Sequence, residues 1–290
     1  MSCRFELTVI CDNHAGEELL SEHGLSFHIL ADGYTILFDT GGGETLLPNA
    51  MKLGIDLANC THLVLSHGHY DHTGGVGQVL AKNTYCSVIA HPFILSDRYS
   101  RHADRPVNRI GIPVNVQAVL QQLDPVRLHC SPVASFISDN IGITGFIPRT
   151  HVFEDTGGPF YLDETGQFAD MIPDDQALWI NTPQGLVIIL GCCHSGMSNT
   201  VDYIRHLNDG ASVAGIIGGL HLLHASAERL EQTIIYLKKL KPQFIYAGHC
   251  TGDDVIVMLR EHLRDTAVGQ FHAGMHIGAG ERTSLIGNIR

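Results

Sequence analysis

Short apolar runs, many of them closed by glycine, aspartate or histidine, alternate along this chain with stretches whose apolar residues recur at helical spacing. Residues 5–10 read as a first strand. Residues 25–31 and 34–38 read as a hairpin, because two β-rich runs are joined by Asp32-Gly33. A helix is predicted over 44–53 with Gly54 as its C-cap, then a buried strand over 62–65, a helix over 76–81 and a strand over 87–90. Between about 92 and 173 the rhythm breaks into charges, prolines and short runs, as in an insertion or elaborated edge. From 177 onward it is regular again. Strands at 177–181, 186–190, 213–217 and 244–247 alternate with helices at 199–207, 225–240 and 255–263. Alternation of this kind implies a layered α/β fold, in which ligand sites collect where strands run out. Four times an apolar run gives way to glycine and histidine, at His67, His194, His221 and His249, so four imidazoles can converge on one place.

The densest chemistry is Ser66-His67-Gly68-His69-Tyr70-Asp71-His72-Thr73-Gly74-Gly75. An extended backbone alternates its side chains, so His67 and His69 can face one cation. Asp71 and His72, past the turn, can reach a second position. Imidazoles with one carboxylate suit zinc, manganese or iron better than calcium or magnesium, which prefer oxygen shells. With 19 histidines in the chain, two close together carry little weight, whereas four ligand-type residues in six positions point to a metal site. Asp39 ends a strand where a carboxylate can accept the free N–H of a ligand imidazole and fix its tautomer. His14, His23, His28, His62, His91, His102, His224 and His262 lack neighbouring ligand types and are read as surface or packed residues.

The pattern H-x-H-x-D-H followed by T-G-G resembles the signature of the metallo-β-lactamase fold superfamily. Phe38-Asp39-Thr40-Gly41, Gly191-Cys192-Cys193-His194-Ser195-Gly196 and Gly248-His249-Cys250 narrow the resemblance to dihydropterin-ribofuranosyl-aminobenzene-phosphate-synthase-like metal-dependent hydrolases. The resemblance implies an αββα sandwich, one domain over 1–290, with metals at the strand-end edge between two sheets. It implies that His67, His69 and His194 hold one metal and that Asp71, His72 and His249 hold a second. Asp71 would also orient the nucleophile, and Asp39 would support a ligand from behind. The bridging carboxylate or cysteine common in hydrolytic members has no aspartate here, which leaves His221, then Cys193 or Cys192, to complete the site. Ile147-Pro148-Arg149-Thr150 is similar to a stretch of the same branch and makes Arg149 the candidate anion contact.

Composition narrows the partners. Thirty acidic residues against 18 basic ones give a net charge of -12, which argues against a nucleic-acid footprint and for a small substrate, while leaving room for a local basic pocket. That the substrate is anionic is what the resemblance implies. The residues that open the chain do not read as a signal peptide, and no apolar stretch is long enough to span a membrane. Eight cysteines without a disulfide-framework spacing suggest a reducing cytoplasm. A homo-oligomer is left open. The expected activity is hydrolysis by metal-activated water, with one or two zinc ions, or manganese or iron in their place. The substrate first in line is a phosphate ester or cyclic phosphodiester. The rivals are a synthase-like transferase, an iron redox enzyme and a metal-stabilised binding protein.

Overall fold

The computed structural model describes residues 3–278; the first two residues of the expected non-signal N-terminus, and residues 279–290, lie outside the described part. The chain opens with strands β1 (Phe5–Cys11), β2 (Ser26–Ala31) and β3 (Tyr34–Phe38). Asp32 and Gly33 both take positive φ, 52° and 79°, the geometry of a tight hairpin turn between Ala31 and Tyr34. Helix α1 (Leu46–Lys52), strand β4 (His62–Val64), helices α2 (Tyr70–Thr73) and α3 (Val76–Lys82) and strand β5 (Ser87–Ala90) follow. The irregular middle holds β6 (Tyr99–Ser100), β7 (Asn108–Arg109), α4 (Val114–Gln121), β8 (Leu128–Cys130), β9 (Ser135–Ser138), β10 (Ile141–Ile143) and β11 (Phe160–Tyr161). The last part runs β12 (Leu178–Thr182), β13 (Gly185–Ile189), α5 (Met197–Leu207), β14 (Val213–Gly218), α6 (Ala227–Leu240), β15 (Phe244–Ala247), α7 (Asp253–His262), β16 (Ala267–Gln270) and β17 (His276–Gly278).

These strands make two seven-stranded sheets, ordered β17-β1-β2-β3-β4-β5-β8 and β16-β15-β14-β13-β12-β10-β9, with a three-stranded sheet β11-β6-β7 beside them. Side-chain alternation builds the layers. On β13, Val187 and Ile189 join Phe27, Phe38, Val64 and Phe244 in a core between the two sheets. Leu186 and Ile188 of the same strand face outward, onto Val201, Leu237 and Leu259 of α5, α6 and α7. Leu63 and Val88 on the outer face of the first sheet meet Leu46, Val79 and Val116 of α1, α3 and α4 in the same way. The architecture is therefore the four-layer αββα sandwich that the resemblance implies.

The 92–173 stretch contributes β8 to one large sheet and β9 and β10 to the other, in addition to forming the small sheet. Arg98, fully buried, locks it down through ion pairs to Asp170 and Asp174. Asp174 in turn accepts the Gly68 N–H at 2.8 Å, which fixes the loop between His67 and His69.

Candidate metal centre

The carboxyl ends of β3, β4, β13, β14 and β15 point the same way, because β3 and β4 are parallel, as are β13, β14 and β15. The residues beyond these ends are Asp39, His67 to His72, Cys192 to His194, His221 and His249. Asp39, Cys193, His221 and His249 all sit at positive φ, between 49° and 61°. Such a backbone costs a non-glycine residue about 1–3 kcal/mol and persists where surrounding structure over-determines it. Among the described residues, four of the nine non-glycine residues at positive φ stand at this edge.

The rings of His67 and His69 lie 4.5 Å apart between centroids, and His194 lies 4.7 Å from the first and 4.9 Å from the second. His67 Nε2 and His69 Nδ1 are 2.9 Å apart and share a hydrogen bond. His194 donates through Nδ1 to the Thr156 carbonyl at 2.7 Å, since a carbonyl can only accept. That leaves its Nε2 as a lone-pair nitrogen. Beside this trio, Asp71 Oδ2 is 3.3 Å from His249 Nε2 and 3.6 Å from His72 Nε2. His72 Nε2 also reaches the Cys192 thiol at 3.1 Å.

Two donor groups result, each with its ligand atoms within 4.8 Å of one another: Asp71, His72, Cys192 and His249, and His67, Cys192 and His194. A third set, Cys192, His221 and Cys250, meets the same limit. Cys192 is common to all three. His69 Nε2, His194 Nε2, His249 Nε2 and His221 Nδ1 are buried with no hydrogen-bond partner. Orphaned buried nitrogens are costly, about 1–3 kcal/mol each, and rare in native interiors. Those of His69, His194 and His221 fit lone pairs aimed at cations, whereas His249 Nε2 faces the Asp71 carboxylate at 3.3 Å and joins them when a cation displaces its proton.

Electrostatics agree. Burial, then neighbouring imidazoles or the Arg98 charge, hold His67, His69 and His194 well below the usual histidine range, so these rings are neutral and able to ligate. Burial alone would raise Asp71, but His72, His249 and His23 keep it well below the carboxylate range. Burial works against a charge on His249 too, yet Asp71, Cys250 and Asp12 outweigh it and lift His249 to about 9. Burial and the neighbouring Cys250 push Cys192 upward, so it stays a thiol unless a cation displaces its proton.

The supporting residues are fully formed. Asp39 accepts from the Ser66 backbone at 2.7 Å and the Ser66 hydroxyl at 2.6 Å, and its Oδ2 lies 2.7 Å from His72 Nδ1. Ser66 Oγ is also 2.9 Å from His67 Nδ1, so one carboxylate orients ligands of both groups. Asp12 accepts the His249 N–H at 3.1 Å, and Asn13 Oδ1 lies 3.0 Å from His249 Nδ1.

The structure thus gathers His67, His69, Asp71, His72, His194 and His249 at one place, with Asp39 behind them. His221 lies beside His194, with ring centroids 4.3 Å apart, and groups with Cys192 and Cys250 rather than with Asp71 and His72. Cys192, placed with Cys193 behind His221 from sequence, is the thiol at the centre, whereas Cys193 turns to Thr200 Oγ1 at 3.5 Å. Arg149 is engaged away from the imidazoles. It donates to the Met171 carbonyl at 2.8 Å, and Asp170 and Asp175 feel its charge. The arginine felt by His67 and His69 is Arg98. His23, read as surface or packed, is instead 3.3 Å from Asp71 Oδ2 and stacked on His249 at 5.1 Å. Ser66, Asp12 and His23 carry no spacing signal; a polar residue just past a strand end is the clue that Ser66 and Asp12 share with Asp39. His91 caps a short turn by accepting from Phe93 N at 3.1 Å, and His224 is exposed, as expected of both.

A model of the Metallo-beta-lactamase superfamily matches residues 22–249. An uncharacterized protein of Methanocaldococcus jannaschii, MJ0448, is 29% identical over 274 residues, 94% of this chain and 99% of its own length. The 7,8-dihydropterin-6-methyl-4-(beta-D-ribofuranosyl)-aminobenzene-5'-phosphate synthase of the same organism is 30% identical over 289 residues, covering 93% of this chain and 95% of that one. Among solved structures, Tm1679, a metal-dependent hydrolase of the beta-lactamase superfamily, aligns with a TM-score of 0.78 at 27% identity, over 96% of this chain and 100% of that chain.

Proposed function

The chain belongs to the metallo-beta-lactamase superfamily, and from that premise we propose that it is a metal-dependent hydrolase acting on a small anionic substrate at a two-cation centre. A phosphate ester or cyclic phosphodiester is the first class to test. The observation that carries this reading is the pair of donor groups meeting at Cys192, one nitrogen-rich and one containing Asp71. Adjacent cations are what hydrolysis of such esters uses, for they activate water and neutralise charge that develops on the substrate. A donor set of imidazoles, one carboxylate and one thiol favours zinc over manganese, with iron the next choice.

The chain's own side chains do the remaining work. Asp71, set between His249 and His23, orients the attacking water and takes its proton at Oδ2. His69 holds its place through His67, and Asp39 fixes the ring directions of His67 and His72 through Ser66 and by direct contact. Phe160, with its ring 5.4 Å from those of both His69 and His194, shields the nitrogen-rich group from water. Arg149 is retained as the anion contact proposed from sequence. Replacing it by alanine should raise KM for an anionic substrate with little change in kcat, and an unchanged KM would reduce it to a tie on Met171.

The test is turnover of phosphomonoester, phosphodiester and lactone substrates by zinc-replete protein, with and without chelator. Chelator-sensitive turnover that His69→Ala abolishes supports the reading, and turnover indifferent to both contradicts it. The synthase-named relative motivates a second reading, in which the same centre serves a transferase. Formation of the pterin conjugate that the relative is named for, with no ester hydrolysis, would favour that one. The free state of all eight cysteines supports a reducing, cytoplasmic setting, and no helix among the described residues is long and apolar enough to cross a membrane.

A further inference from the structure

Strands β13, β14 and β15 are parallel neighbours, and just beyond their carboxyl ends stand Cys192, His221 and Cys250. The two thiol sulfurs and one ring nitrogen of His221 lie within 4.8 Å of one another. The hydrolytic reading uses neither His221 nor Cys250. The Cys250 thiol donates to the Cys192 carbonyl at 3.6 Å, which holds its sulfur over the Cys192 residue. His221 has φ of 49° and presents a buried Nδ1 with no hydrogen-bond partner.

The surrounding backbone is shaped to keep these donors where they are. A Cβ on Gly157 would stand 1.8 Å from His221 Cδ2, and one on Gly219 would stand 2.6 Å from Cys250 Sγ. Either would displace a donor. Two cysteines and a ring can pack together for apolar reasons alone, but packing does not account for a ring that keeps one buried nitrogen without a hydrogen-bond partner while a ring nitrogen lies within 4.8 Å of two thiols.

We propose that Cys192, His221 and Cys250 form a third, sulfur-rich cation site that takes a thiophilic metal such as zinc, cadmium or copper(I) beside the two-cation centre. Two sulfurs and one nitrogen are a softer set than either of the other two groups, and soft ligands select such cations. Cys192 has already lost its proton to the first two cations, so at this step only the Cys250 thiol gives a proton to solvent as its sulfur–metal bond forms, with no change in oxidation state. Because Cys192 is shared, its sulfur must bridge, so this site fills after the other two.

The experiment titrates metal-stripped full-length protein with cadmium under reducing conditions. It reads bound equivalents by equilibrium dialysis and sulfur-to-cadmium charge transfer in the near ultraviolet. The native chain should take up a third equivalent after the first two, with the largest gain in charge-transfer absorption at that step. Cys250→Ser and His221→Gln should each keep two equivalents and lose the third. Native protein that saturates at two equivalents overturns the proposal. So does a third equivalent retained by both variants, or a Cys250→Ser protein that loses the first two as well. None of these readouts needs turnover, so failure here is distinct from failure of the hydrolase reading.

Discussion

Asp39 Oδ2 lies 2.7 Å from His72 Nδ1, and neither side chain is exposed to solvent. The contact makes Nδ1 of His72 the protonated nitrogen and leaves Nε2 as the lone pair facing Asp71 and Cys192. Through Ser66 the same carboxylate reaches His67, so a residue that touches no donor pocket directs the rings of two ligands. Asp39→Asn keeps the volume but puts an amide N–H against donors. Zinc affinity should fall about 10–100-fold, as for other partners behind metal ligands. Competition with a chromophoric chelator measures this, and an affinity within twofold of native would remove Asp39 from the account.

Asp71→Asn removes the proton acceptor while leaving an oxygen in place. In the hydrolase reading kcat should drop by about 10²–10⁴-fold, the usual contribution of a positioned base, with metal content near native. Steady-state kinetics beside elemental analysis of the same sample separates the two effects. Native kcat in metal-replete Asp71→Asn would remove the aspartate from the chemistry.

Without metal, the neutral rings at this edge shape stability against pH. His67, His69 and His194 titrate well below the ordinary histidine value of 6.5 when folded. Below that value the unfolded chain binds more protons, so stability falls with acidification. The carboxyls that burial raises, Asp12, Glu154, Asp170 and Asp175 (the last to about 6), work the other way at acid pH, but the three rings are joined by His23, His28, His62 and His91, which burial also holds low. His249, raised to about 9, is protonated in the folded chain across the window from 6.5 to 9 and so loses its stabilising contribution as pH rises through it. The metal-stripped protein should therefore be most stable near the ordinary histidine value of 6.5. Urea midpoints across this range check it, and midpoints that climb steadily from 6.5 to 9 would contradict the part assigned to His249.

Gly142 on β10 faces Trp179 on β12, and a Cβ there would meet the indole ring at 2.1 Å. Trp179 is fully buried and packs edge-on against Phe136 at 5.6 Å. Gly142→Ala should cost about 1–3 kcal/mol, the usual range for overpacking. As the chain has a single tryptophan, its fluorescence reports the shifted denaturation midpoint directly. An unchanged midpoint would show that the sheet holding β9, β10 and β12 tolerates movement at this edge.

Much of this was legible because it is local. The H-x-H-x-D-H spacing, the glycines past strand ends and the Asp-Gly hairpin each lie within a few residues, so the chain announces them before folding. The strands flanking the metal edge are also apolar enough to stand out, as Leu186 to Ile189 do. By contrast β6, β7 and β11 are two residues long, and β16 and β17 read Ala-Val-Gly-Gln and His-Ile-Gly, with no period to detect. They exist because neighbouring strands supply hydrogen bonds. The roles of Cys192, His23 and Ser66 are hidden for a related reason. Each depends on a contact across the chain, such as Cys192 with His72 at 3.1 Å and 120 residues apart, that pattern alone does not place.

Metal content per chain tests the proposed two-cation centre most directly. Protein purified without chelator or added metal, then measured by elemental analysis, should carry about two equivalents of metal, mainly zinc, given a thiol-containing donor set. Retention of less than one equivalent, with none regained on dialysis against zinc, would contradict the centre built around Cys192.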